Sequence, residues 1–183
     1  MPTHVALLRG VNVGGRKLAM TDLRKIVASL GHVDVSTYIQ SGNALFTPAA
    51  AEPESVLASG LERAIAAGVG MKVGVIVLSR GGLAAVVRSN PYPDEPDPKR
   101  LHAVLLSGRL GADLLVRISD LGAGGRDSAQ VLGQTLYLHT PDGFGRSDFA
   151  NKVMRLLGSP KAGVVATARN WSTVNTLLGR LDQ

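Results

Sequence analysis

Val33-Asp34-Val35-Ser36-Thr37-Tyr38-Ile39-Gln40-Ser41-Gly42-Asn43-Ala44-Leu45-Phe46-Thr47 is the stretch whose reading decides the fold. Val33–Ile39 and Asn43–Thr47 are rich in β-branched, aromatic and apolar residues. The intervening Gln40-Ser41-Gly42 supplies turn chemistry, so the segment reads as a β-hairpin. Upstream, Thr3–Leu8 is a mostly apolar strand, and Leu23, Ile26, Val27 and Leu30 give the i, i+3, i+4, i+7 stripe of a helix. Thr21 is placed to cap that helix and Gly31 to stop it. Downstream, a helix over 53–67 turns Leu57, Leu61, Ala64 and Ile65 inward, and Lys72–Leu78 is a fourth strand. The order is β-α-β-β-α-β, the ferredoxin-like pattern.

A helix from Ser79 to about Asn90 follows, and then Asn90-Pro91-Tyr92-Pro93-Asp94-Glu95-Pro96-Asp97-Pro98, whose prolines forbid helix and central strand alike. This stretch reads as a linker. The order then restarts: strand 101–107, a short helix near 109–117, strands near 128–132 and 135–140, a helix from about Ser147 to Leu157, and strand 163–167. A last helix from Ser172 carries the stripe Val174, Leu177, Leu178, Leu181. The glycines Gly122, Gly124 and Gly125 blur the reading of 109–132. The expected architecture is α+β: a ferredoxin-like module over 1–78, a connecting helix and Pro-rich linker over 79–100, and a second ferredoxin-like module over 101–183 that includes the C-terminal helix. The two halves share element order but no residue-level repeat.

Four polar motifs punctuate this order. They are Leu7-Leu8-Arg9-Gly10-Val11-Asn12-Val13-Gly14-Gly15, Tyr38-Ile39-Gln40-Ser41-Gly42-Asn43, Gly145-Arg146-Ser147 and Arg169-Asn170-Trp171. In this order and combination the chain, from about Thr3 to Leu181, resembles the bacterial domain-of-unknown-function family numbered 1697. The resemblance implies a two-module α+β arrangement and names no substrate or reaction.

Topology groups the motifs. In a β-α-β-β-α-β unit the first two strands run parallel, so the exit of the first strand and the hairpin turn lie at one end of the sheet. Arg9–Lys17 and Gln40–Asn43 are therefore expected to be neighbours. The exits of the third and fourth strands meet at the opposite end, which brings Asp142–Ser147 near Arg169–Trp171 in the second module. A cleft between the modules is the expected ligand location. The candidate ligand-binding residues are Arg9, Asn12, Gly14, Gly15, Lys17, Gln40, Ser41, Asn43, Arg146, Ser147, Arg169, Asn170 and Trp171.

Charge supports an anionic partner. The net charge is +6, and it is uneven: residues 1–25 carry +4, residues 141–183 carry +3 and the rest −1. All the excess lies in the ends that hold the motifs. A basic compositional background would give the same total. Gly10 to Lys17 is a near miss for the phosphate loop GxxxxGK[ST], with Arg16 and Lys17 where Lys and a hydroxyl belong. Gly14 and Gly15 permit a looser anion nest; the alternative is a tight connection in which Asn12 bonds its own turn. Asn170 and Ser147 can likewise be ordinary helix caps, and Trp171 a core residue. Arg169 suits a planar carboxylate or phosphate.

Other chemistry is excluded or unsupported. With no cysteine there is no disulfide, thiolate or Cys-ligated metal. His4, His32, His102 and His139 are scattered without metal-ligand spacing, and His139 reads as a surface residue. Asp94, Glu95 and Asp97 lack the spacing of a calcium loop and read as a solvated linker. There is no GxSxG elbow, and only Asp142 or Asp148 lies near the motifs to act as acid or base. No cofactor is called for, and no stretch reaches the ~18 apolar residues of a membrane span. The start lacks the basic region of a secretory signal, so a cytoplasmic location is expected. The preferred reading is a binder of an anionic small molecule. The rivals are a weak nucleic-acid-binding module, disfavoured by an aromatic content of 4%, and a scaffold whose motifs only lock the modules together.

Overall fold

The computed structural model describes residues 1–122 and 125–182; Gly124, one of the glycines that blurred the reading of 109–132, lies outside them. Among the described residues, eight strands and six α-helices follow the expected order twice. The first set is β1 (His4–Leu8), α1 (Met20–Ser29), β2 (Val33–Tyr38), β3 (Asn43–Thr47), α2 (Glu54–Val69) and β4 (Val75–Ser79), followed by α3 (Arg80–Arg88). The second is β5 (Leu101–Leu106), α4 (Ala112–Gly122), β6 (Ser128–Leu132), β7 (Thr135–His139), α5 (Asp148–Gly158) and β8 (Ala166–Asn170), followed by α6 (Trp171–Leu181). Each set builds one four-stranded sheet, in the orders β2-β3-β1-β4 and β6-β7-β5-β8. Every pairing is antiparallel. Both units are ferredoxin-like.

Two compact units divide within α3 and α6: Met1–Ala84 with the C-terminal residues from Thr176, and Ala85–Asn175. The end of α6 thus belongs with the first unit. There the Arg180 guanidinium lies 4.6 Å over the Tyr38 ring, and Arg80 pairs with Asp182.

In the first unit, Ala6 and Leu8 of β1, Ala44 and Phe46 of β3, and Val75 and Val77 of β4 point to the helix face. They form one core with Leu23 and Val27 of α1 and Leu57, Leu61 and Ile65 of α2. The register places Val5, Leu7, Leu45, Asn43 and Ile76 on the other face, and these are buried as well. Two α2 carboxylates anchor β4, Glu62 accepting from the Val75 N–H (2.8 Å) and Glu54 from the Ser79 N–H (2.6 Å).

The second unit repeats the scheme. Val104, Leu106, Leu136, Leu138 and Ala166 meet Ile118 of α4 and Phe149, Val153 and Leu157 of α5. The opposite face carries Leu101, Ala103, Leu105, Thr135, Tyr137, Thr167 and Arg169, all buried. The Tyr137 hydroxyl reaches the Val86 carbonyl of α3 at 2.7 Å.

Two of the boundaries that differ from the sequence reading bear on the motifs. α1 begins at Met20 with Ala19 in the capping position and no side-chain cap, so Thr21 sits within the helix. β8 runs three residues beyond 167, because Arg169 and Asn170 pair with Ala103 and His102. The polar motif is part of the strand, not the loop after it.

The hairpin between β2 and β3 has one obligatory residue. Gly42 has φ +76°, and a Cβ there would lie 2.4 Å from Val11 Cγ2 and 2.9 Å from Leu8 Cβ. Its carbonyl also accepts from the Leu8 N–H at 2.9 Å. Gly42→Ala is expected to destabilise the protein by about 2–4 kcal/mol, combining backbone strain with overpacking. Urea denaturation of the variant beside the parent measures it, and an unchanged midpoint refutes the assignment.

Candidate functional site

The register fulfils the topological expectation in the first unit. Leu7 and Tyr38 both stand opposite Asn43, so the exit of β1 and the β2–β3 turn share one end. The segment between β1 and α1 folds as a miniature hairpin. Val13 and Arg16 pair as an isolated antiparallel bridge, with the Arg16 N–H on the Val13 carbonyl and the Asn12 N–H on the Arg16 carbonyl (3.1 and 2.7 Å). Gly14 and Gly15 occupy its turn at φ +57° and +84°, the pattern of a type I′ turn, which only such residues adopt without strain.

Asn12 staples this hairpin to the rest of the unit. Held at φ +56°, a conformation Asn tolerates, its Nδ2 donates to the carbonyls of Leu18 (3.0 Å) and Gln40 (2.6 Å), and its Oδ1 accepts from the Leu18 N–H (2.9 Å). Asn43, fully buried, donates to the Tyr38 carbonyl and Ser41 Oγ, both at 3.0 Å. Arg16 Nη2 reaches the Lys72 carbonyl at 2.5 Å. Arg9 is half-buried, its N–H on the Gly74 carbonyl.

Beside the staple is a hollow of about 450 Å³ lined by Asn12, Gly15, Arg16, Lys17, Leu18, Ala19 and Gln40. It holds two cations and no carboxylate, and it adjoins the uncapped start of α1. Lys17 and Gln40 are exposed there.

In the second unit, Leu101 stands opposite His139 and His102 opposite Asn170, so the ends of β7 and β8 meet as expected. After β7 a turn leads through Phe144–Arg146 into α5. Ser147 caps α5 by accepting from the Ala150 N–H (2.8 Å) and donates to Asp127 (2.7 Å). Asn170 caps α6 by accepting from the Thr173 N–H (2.8 Å). Trp171 tilts against Tyr137 with ring centres 6.2 Å apart. Arg169 is 7% exposed, donates to Thr167 Oγ1 (2.7 Å) and the Ala168 carbonyl (2.8 Å), and burial pulls its pKa down to about 10. Arg146 is exposed in a second hollow, of about 340 Å³, with Lys99, Arg100, Asp97 and Asp142. There Arg100 lies 3.6 Å from Asp97, and Asp142 pairs with Arg126 at 3.2 Å.

These geometries fit a family comparison. The sequence matches, over residues 1–137, the family described as Protein of unknown function (DUF1697). The chain belongs to this family. Its fold is similar to that of the conserved bacterial protein SP0830 from Streptococcus pneumoniae, with a TM-score of 0.75 and 23% identity over 100% of this chain and 99% of that one. None of the curated proteins compared with the sequence matches it. No helix among the described residues is long and apolar enough to cross a membrane.

Two groups in this DUF1697 chain escaped the sequence reading. In the Pro-rich segment Asp94 is exposed but Glu95 is not a solvated acid: it holds His139 Nε2 at 2.6 Å, and Tyr92 stacks on the His139 ring at 5.0 Å while its hydroxyl accepts from Ser128 Oγ at 3.0 Å. That bond to His139 keeps the Glu95 carboxyl below its usual range. No local signal marks a pair separated by 44 residues. The second group is His102, which stacks on Phe144 at 4.1 Å with a buried Nδ1 that has no hydrogen-bond partner. Burial lowers its pKa from 6.5 to about 4.

His102 makes a stability prediction with a definite sign. Between pH 6.5 and 4 the unfolded chain binds a proton that the folded chain refuses, so stability falls as pH drops through that window, by about 3 kcal/mol when complete. His102→Phe is expected to remove this share of the acid sensitivity and to cost little at pH 7, since it also deletes an unpartnered polar atom. Thermal melts of both proteins from pH 7 to 4 test it; parallel pH profiles refute it.

Proposed function

We propose that the protein binds an anionic small molecule, phosphate- or carboxylate-bearing, in the hollow beside the Asn12 staple. The observation that carries this reading is the hollow's lining, two cations without a carboxylate at a helix start that lacks a side-chain cap. Partial positive charge at the start of α1 adds to that of Lys17 and Arg16. Lys17 supplies a mobile point charge, and Gln40 an amide that orients the ligand. Gly15 and Asn12 shape the wall, their conformations being used by the hairpin and the staple, and Gly14 shares the hairpin turn without lining the hollow. Ser147, Asn170 and Trp171 are read as structural, since each has a capping or packing role. Arg169 is read the same way from its burial and its bonds within β8.

Burial argues against the nucleic-acid alternative. Ferredoxin-like RNA binders stack bases on an exposed sheet face bearing aromatics. Here the helix-free faces of the central strands β1, β3, β5 and β7 are buried, and Gln130 and Leu132, exposed on that face at the edge of the second sheet, are not aromatic. Tyr92 and Phe144 are stacked on histidines and Tyr38 lies under Arg180.

Inorganic phosphate, pyrophosphate, nucleoside triphosphates and citrate are the probes for a thermal-shift titration. At least one is expected to stabilise the parent, by about 2.7 kcal/mol at a hundredfold excess over Kd. Lys17→Glu, an exposed change worth within about 0.5 kcal/mol of stability by itself, is expected to abolish the shift. If no anion stabilises the parent, or the variant responds equally, the reading fails. Salt-resistant binding to a single-stranded oligonucleotide would favour the alternative instead.

A further inference from the structure

A further hollow lies in the second unit, lined by none of the residues of the four motifs. It measures about 730 Å³ and opens between α4 on one side and α5 with the short 160–162 turn on the other. The α4 wall presents Asp113 and Asp120 on either side of Arg117; the opposite wall presents Lys152, Arg155 and Lys161. All six are exposed. Among the described residues, no ion pair within 4.0 Å joins the two walls. Opposite charges thus face each other across an open groove without meeting.

The groove is apolar between those charges, through Leu114, Leu121 and Leu156. Of these, Leu121 is left at 37% exposure. An occupant must therefore bring apolar surface, acid for the α5 wall and base for the α4 wall. A purely anionic ligand would answer Lys152, Arg155 and Lys161 but leave Asp113 and Asp120 against its own charge.

We propose that a second copy of this chain docks on this groove, α4 of each protomer meeting the α5 wall of the other. A two-fold axis makes one patch serve both sides: Asp113 and Asp120 of each copy face Lys152 and Arg155 of its partner, and the groove-lining Leu114, Leu121 and Leu156 are buried between them. The bipolar walls set register and exclude the same-wall alignment, where like charges oppose. This dimer is independent of the anion site in the first unit.

Sedimentation velocity at low salt tests the proposal with the full chain. A dilution series up to about 1 mM is expected to reach twice the chain mass of 19.1 kDa. The double variant K152E/R155E, with two acidic walls, and D113K/D120K, with two basic walls, are each expected to weaken self-association at least about tenfold. Mixed in equal amounts they are expected to regain the dimer, because each acidic wall then meets a basic one at both halves of the interface. Leu121→Gln, in the apolar part of the groove, is a second disruption that leaves the charges of both walls intact. A parent that stays monomeric throughout, variants that dimerise as it does, or a mixture that remains monomeric overturns the proposal.

Discussion

Burial of the central strands of each sheet on both faces is the constraint on which the structure depends. A ferredoxin-like unit covers one face of its sheet with its own two helices, and its other face is commonly left polar and open. Here β1 runs Val5-Ala6-Leu7-Leu8 and β5 runs Ala103-Val104-Leu105-Leu106 with every residue buried. These central strands do not alternate in and out, whereas the edge strand β6 does, with Ala129 and Val131 against the core and Gln130 and Leu132 exposed. Within each unit, part of the covering is visible: Arg180 of α6 over Tyr38 in the first, and Val86 of α3 receiving the Tyr137 hydroxyl in the second. The helices that follow the fourth strands are thus needed by the sheets they touch.

The same constraint explains which polar residues are tied down. Asn43 stands on the helix-free face of the first sheet and Arg169 on that of the second. A buried amide or guanidinium requires hydrogen bonds where it lies, and both have them inside their own hairpin or strand. Burial of Arg169 is marked by the fall of its pKa to about 10. Polar motifs at such positions specify a backbone arrangement before they specify any ligand.

Element order, sheet topology and the meeting of β1's exit with the β2–β3 turn were legible because they follow from apolar periodicity, turn residues and the parallel course of β1 and β2. What escaped depended on distant partners. Ala19 starts α1 although Thr21 is the better capping residue, since the Asn12 bonds to Leu18 fix where the chain enters the helix. β8 extends through Arg169 because β5 offers partners as far as His102. The pairing of Glu95 with His139 brings the proline-rich segment against β7, and nothing near either residue announces it. Of the candidate site, the clustering at sheet ends was readable. The division of labour within each cluster was not.

That division bears on the kind of binding the first unit can support. A phosphate-binding loop works by aiming several backbone N–H groups at one point. In the loop after β1 the N–H groups of Asn12 and Arg16 close the small hairpin, and that of Leu18 is held by Asn12 Oδ1. Attraction in the adjoining hollow therefore comes chiefly from Lys17, Arg16 and the start of α1. Side-chain cations at an exposed rim act through a screened field, so affinity depends steeply on salt and weakly on the ligand's shape. On the proposed reading, discrimination among anions falls to the Gln40 amide and the wall that Gly15 and Asn12 define. The fold's use of its own backbone donors, more than the total of positive charge, thus limits how selective this hollow can be.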